Sequence, residues 1–139
     1  GMEFFNTFGG NPVSSIISQT VLEVVEDENL QKKALIVGNF LKKELQILSK
    51  KYPIIGDIRG QGLFLGIELV DSNLIPLGLH ASYLVNRMKD YGILMSTDGP
   101  ENNVLKIKPP LVFSIDNAKE VLFYLKKILD EDLMKTFKL

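Results

Sequence analysis

A chain of 139 residues, 45% hydrophobic and 24% charged, has the balance of a globular protein, and at this length roughly two thirds of the unfolded surface is buried on folding. Lys and Arg number 16 against 17 Asp and Glu, a net charge of -1 that supplies no overall attraction to nucleic acid or anionic lipid. The absence of cysteine excludes a disulfide framework, a thiolate nucleophile and a cysteine-based metal site, and it suits a cytoplasmic protein.

The N-terminus, "GMEFFNTFGG", lacks a basic segment leading into an apolar run, and no window reaches the length of a membrane span, so neither secretion nor membrane insertion is expected. The glycine ahead of Met2 reads as the remnant of a cleaved tag, and the expectation is that the chain is a piece of something longer. Asn11 can cap the first amides of a helix, and Pro12 has its φ preset for a first helical position. The apolar stripe of that helix is Val13, Ile16, Ile17, Val21, Val24 and Val25, and it is expected to be the least buried helix in the isolated chain. The acidic cluster Glu26, Asp27 and Glu28 interrupts the pattern. A second, longer helix carries Leu30, Ala34, Val37, Leu41, Leu45 and Leu48 inward, shows a lysine-rich wet face and ends before Pro53.

The stretch "IIGDIRGQGLFLGIELV" turns to β-branched, alternating residues. With Gly60, Gln61 and Gly62 in the middle it predicts a hairpin over residues 54 to 59 and 63 to 70. A third helix directs Ala81, Leu84, Val85 and Met88 inward and closes at Gly92. Two short strands follow, over 93 to 97 and 104 to 108, joined by the turn-forming "DGPENN". Ser114 then caps a last helix with Ala118, Val121, Leu122, Leu125, Ile128 and Leu129 on its core stripe. Helices and strands are grouped rather than singly alternating. The predicted fold class is α+β: a two-layer domain with a mainly antiparallel sheet of about four short strands, covered by helices and preceded by an N-terminal connecting helix.

Reaction chemistry is sparse. His80, the only histidine, stands at the start of the third helix with no paired nucleophile or metal ligand, and reads as a surface or capping residue. The carboxylates fall on polar faces and helix ends without His or Cys partners, so no metal site is expected. The glycine-rich 56 to 62 stretch lacks the Lys-Ser/Thr pair of a phosphate loop and reads as a hairpin. Two places remain. Thr7, Gly9 and Gly10 precede a helix start, where free amides, a hydroxyl and the helix dipole can hold a phosphate, although a plain capped helix start explains the same residues. Lys106 and Lys108 share one face of a strand and form a local cationic pair that suits an anion, or that simply meets solvent.

Three motifs, "FNTFGGNPV", "IRGQGLFLGIEL" and "VLKIKPPLVFS", taken in this order and spacing, resemble the C-terminal part of class III aminotransferases, pyridoxal-5'-phosphate (PLP) enzymes of fold type I. The resemblance covers essentially the whole chain. It implies that residues 1 to 27 are the connecting segment and helix from a large PLP domain, and that 28 to 139 are the small C-terminal domain. It also implies that Thr7, with Gly9 and Gly10, reaches the cofactor phosphate, often in the neighbouring subunit of a homodimer. The lysine that forms the Schiff base, the carboxylate paired with the pyridine nitrogen and the aromatic stacked on the ring all lie before the family's "TFGGNP". The 139-residue chain alone is therefore expected to be inactive and to bind no PLP. Lys106 stands where the family's "RxxPP" places an arginine for the substrate carboxylate, and a point charge cannot reproduce that planar fork. "STDGP" followed by "NVLKIKPP" looks like the branch containing ethanolamine-phosphate phospho-lyase, which implies a small phosphorylated amine as substrate of the parent. Arg59 matches the family's "RG", whose implied role is structural. A different class of reading is a stand-alone, non-catalytic interaction or dimerisation module. In either case the uncovered apolar faces are expected to drive self-association.

Overall fold

The computed structural model describes residues 3–133. Its elements are α1 (Pro12–Asp27), α2 (Leu30–Lys51), β1 (Ile55–Gln61), β2 (Phe64–Leu69), α3 (Gly78–Asp90), β3 (Ser96–Asp98), β4 (Val104–Ile107) and α4 (Ile115–Ile128), closed by a π-helical turn (Leu129–Leu133). The strands form one open sheet in the order β1-β2-β4-β3, antiparallel throughout, and the architecture is the α+β domain that the pattern predicts. Alternation sends Leu65, Ile67 and Leu69 of β2 to one face with Leu105 and Ile107 of β4. There they meet Leu41 and Leu45 of α2, Leu84 and Met88 of α3, and Leu125 and Ile128 of α4. Each of these buried aliphatic side chains contributes on the order of 1.5–3 kcal/mol. Among the described residues no helix lies on the opposite face of the sheet.

Local signals set the helix ends. The Asn11 side chain accepts from the Val13 and Ser14 amides, and Ser114 makes a capping box with Asn117. Gly92 takes the left-handed conformation (φ 78°) just past α3, where the sequence places a helix stop. At the other end of the core, the π-helical turn is tied down by charge. Lys51 Nζ and the Tyr52 hydroxyl both donate to Asp130, at 2.7 and 2.6 Å, while Arg87 and Tyr83 donate to Asp132.

Two expectations need correction. The third strand is predicted over 93 to 97 but spans Ser96–Asp98, because the Ile93 amide folds back onto the Met88 carbonyl at the end of α3 (3.0 Å), and pairing with β4 begins only at Ser96. The first strand of the hairpin runs on to Gln61, since Gly60 and Gln61 still pair with Leu65 and Phe64. The stripe of α1 is uncovered, as expected for the isolated chain: Val13, Ile16, Ile17, Val21 and Val24 are exposed and only Val25 is half-buried. Among the elements, α1 packs on α2 alone, in keeping with its expected place as the least buried helix. No helix among the described residues is long and apolar enough to cross a membrane.

Candidate functional site

The open face of the sheet is built from two register rows. Arg59 on β1 lies opposite Gly66 on β2, which lies opposite Lys106 on β4, which in turn faces Ser96 on β3. One step along the strands run Asp57, Glu68, Val104 and Asp98. Partners in register share a face, so a row of cations lies beside a row of acids. Between them is a groove of about 320 Å³ lined by Arg59, Phe64, Gly66, Asp98, Val104 and Lys106 among others.

The charges are matched. Lys106 Nζ donates to Asp98 at 2.7 Å, and the Gly99 amide donates to the other oxygen of Asp98 at 2.8 Å. The Lys106 ammonium, followed by that amide, holds the Asp98 carboxyl below the usual carboxylate range. Arg59 Nη1 donates to Asp57 at 2.9 Å and also to Glu68, and these two carboxylates, Asp57 first, push the guanidinium pKa up. The Lys106 side chain retains 32% of its exposure and so remains reachable by an anion. Asn103, buried, fixes the turn leading into β4 by donating to the Leu69 carbonyl (3.0 Å) and to Glu68 (3.4 Å). Lys108 lies just past β4, which ends at Ile107, and lines an adjoining groove together with Lys106.

Asp98, Glu68 and Gly66 escape a reading of the sequence as candidate site residues. The signal that could have found Asp98 is the "DGPENN" turn: it pairs Asp98 with Val104 and sets its carboxylate diagonally beside Lys106.

The N-terminal lip is a separate structure. Asn6 and Asn11 organise it: the Phe8 amide donates to the Asn6 side chain, the Gly9 amide to the Asn6 carbonyl, and the first amides of α1 to Asn11. The helix start is thus capped, and its Val13 and Ser14 amides are already taken. The exposed Thr7 hydroxyl and the N–H of Gly10, whose φ is 74°, are among the donors of the lip that make no hydrogen bond to the described residues. Residues 1 to 31 contain no Lys or Arg, so this segment places no cation of its own beside these donors. No hydrogen bond or ion pair among the described residues joins the lip to Lys106. His80 is half-buried, which pushes its imidazole pKa down, and no group of acidic or histidine residues suited to a metal occurs among the described residues.

The described residues thus form an antiparallel sheet with helices on one face and a charge-lined groove on the other. The chain belongs to the class III aminotransferase family, whose sequence profile matches residues 2–129 and whose members depend on PLP. It is similar to the alanine–glyoxylate aminotransferase 2-like protein of Drosophila melanogaster, 47% identical over 132 residues that make up 93% of this chain and 27% of that protein. Over 129 residues it is 45% identical to ethanolamine-phosphate phospho-lyase homolog 1 of Caenorhabditis elegans, covering 91% of this chain and 28% of that one. Among solved structures, a phospholyase from Arthrobacter in complex with phosphoethanolamine superposes with a TM-score of 0.87 at 38% identity, over 92% of this chain and 31% of that one. The chain spans between a quarter and a third of the length of these relatives.

Proposed function

We propose that residues 28 to 139 form the small C-terminal domain of a cytoplasmic, homodimeric PLP enzyme acting on a phosphorylated small amine, and that residues 1 to 27 connect it to the large domain. Lys106 is the carrying observation: a reachable ammonium in a groove, at the position where the resemblance implies an arginine for a substrate carboxylate. A lysine meets phosphate as a point charge and lacks the planar fork that selects a carboxylate. The similarity to a phospholyase structure holding phosphoethanolamine supports the same substrate class.

PLP, when bound, supplies the electron sink at the substrate carbon. Thr7 donates its hydroxyl to the cofactor phosphate, with Gly9 and Gly10 giving close backbone approach, in the same or the neighbouring subunit. Lys106 binds and orients the far end of the substrate, and the small domain excludes water as it closes. The test is the full-length protein assayed with ethanolamine phosphate beside a panel of common α-amino acids. Phosphate release from the former, with little amino transfer from the latter, is the expected result; brisk amino transfer without phosphate release overturns it.

The uncovered apolar face of α1 also suits a free-standing interaction module. Immunoblotting of source-cell lysate separates the two. A band about three times this chain's mass or larger, as ordinary domain lengths give for the enzyme, fits the small domain, and a band at its own mass fits the module.

A further inference from the structure

The resemblance gives Arg59 a structural part, yet its hydrogen bonding leaves most of the guanidinium unused. A guanidinium has five N–H donors in a planar fork. Only Nη1 is engaged, by Asp57 and Glu68, while Nε and Nη2 make no hydrogen bond among the described residues. Two carboxylates gripping one nitrogen hold the plane of the fork and leave its other edge free. Arg59 and Lys106 line the same groove, on strands separated by β2 and therefore about 9.5 Å apart at the backbone.

The residue between them is Gly66, in register with both. A Cβ there would come within 3.0 Å of Val104 Cγ1 and 3.9 Å of Arg59 Cγ, so any side chain would crowd the space that separates the two cations. The glycine leaves an open seat with a fork on one side and a point charge on the other.

We infer that Arg59 is the second cation of this seat, and that Arg59 and Lys106 together, across Gly66, make it selective for a phosphate-monoester dianion over a carboxylate. The inference rests on the reading of Lys106 as the substrate-anion residue. A phosphate ester has three terminal oxygens, enough to take two parallel bonds from the free edge of Arg59 while another oxygen meets the Lys106 ammonium. A carboxylate has two oxygens and one charge, and with one oxygen on Lys106 it keeps only one for Arg59, too few for a pair of parallel bonds. Selectivity then arises from the number of contacts, in addition to the larger charge of the dianion.

The experiment uses the full-length, PLP-loaded protein and two probes without an amine, ethyl phosphate and propanoate, whose dissociation constants are read by calorimetry. Arg59→Gln is expected to weaken ethyl phosphate about tenfold, the scale of a lost charge-assisted hydrogen bond, and to change propanoate less than about twofold. Arg59→Lys keeps a cation for Asp57 and Glu68 but loses the fork; it is expected to fold like the wild type and still lose phosphate preference. A purely structural Arg59 predicts a lower unfolding temperature with both probes shifted alike, and an unchanged phosphate-to-propanoate preference in both variants overturns the inference. Lys106→Ala is the separating control. If it weakens both probes while the Arg59 variants leave the preference intact, only the role of Arg59 falls. If it changes neither probe, or if the wild type binds neither, the reading of Lys106 falls and takes this inference with it.

Discussion

α2 crosses the β1–β2 turn so closely that a methyl group at Gly38 would stand 1.9 Å from the Gly62 carbonyl oxygen and 2.3 Å from its carbon. A carbon–oxygen contact relaxes to about 3.3 Å, so Gly38→Ala has to open the gap by roughly 1.4 Å. The turn cannot easily retreat. Gly62 is held at φ 55° between Gln61 and Phe64, which pair across the hairpin. The helix must move instead, drawing Leu41 and Leu45 away from the sheet. Alanine recovers about 1 kcal/mol of intrinsic helix propensity over glycine, and overpacking against rigid backbone costs about 3 kcal/mol, the upper end of its usual range. The net expectation is about 2 kcal/mol of destabilisation, or roughly 8 °C in midpoint for a domain of this size. Thermal unfolding followed by circular dichroism measures it, with the exposed Gln46→Ala as a control expected within about 0.5 kcal/mol of wild type. A Gly38→Ala protein as stable as wild type, or more so, refutes the reasoning, because helix propensity would then outweigh a contact that cannot be as tight as described.

Other contacts in the domain carry further expected outcomes. Asn103→Leu removes the buried donor to the Leu69 carbonyl and is expected to cost about 1–3 kcal/mol in urea unfolding, with Glu68 losing a partner. Asn11→Ala should fray the start of α1, seen as faster amide exchange at Val13 and Ser14, while the midpoint moves little because α1 buries no residue. Asp130, hydrogen-bonded first by Lys51 and then by Tyr52, has its pKa lowered from 3.8. A depressed carboxylate pKa stabilises the fold above the unfolded value, and that contribution is lost as pH falls through the folded one. Asp130→Asn should therefore flatten the decline in unfolding midpoint between about pH 5 and pH 2; an unchanged slope contradicts the assignment.

Much of the fold is legible in the sequence because it depends on local chemistry. Asn11-Pro12, Ser114 and Gly92 mark helix ends through short-range hydrogen bonds and backbone preference, and the 3.6-residue spacing of Leu41, Leu45, Leu84 and Leu125 marks the buried faces. The alternation in β2 does the same for the sheet. The shortened β3 is harder to read, since residues 93 to 95 are apolar and strand-like and only their tie to the end of α3 removes them from the ladder. Least legible is the groove. The row from Arg59 through Gly66 to Lys106 joins residues 47 positions apart by register, and register depends on which strands become neighbours. Gly38 likewise looks like a weak point in a helix until Gly62 is placed against it.

The central claim concerns recognition of the substrate anion by Lys106. Steady-state kinetics of the full-length enzyme on ethanolamine phosphate, comparing wild type with Lys106→Ala, tests it most directly. Loss of a charged hydrogen-bond donor to the substrate is expected to raise KM by about tenfold or more, with the absorbance of bound PLP unchanged. A variant with wild-type KM and kcat would show that the substrate anion is held elsewhere, and would contradict the account.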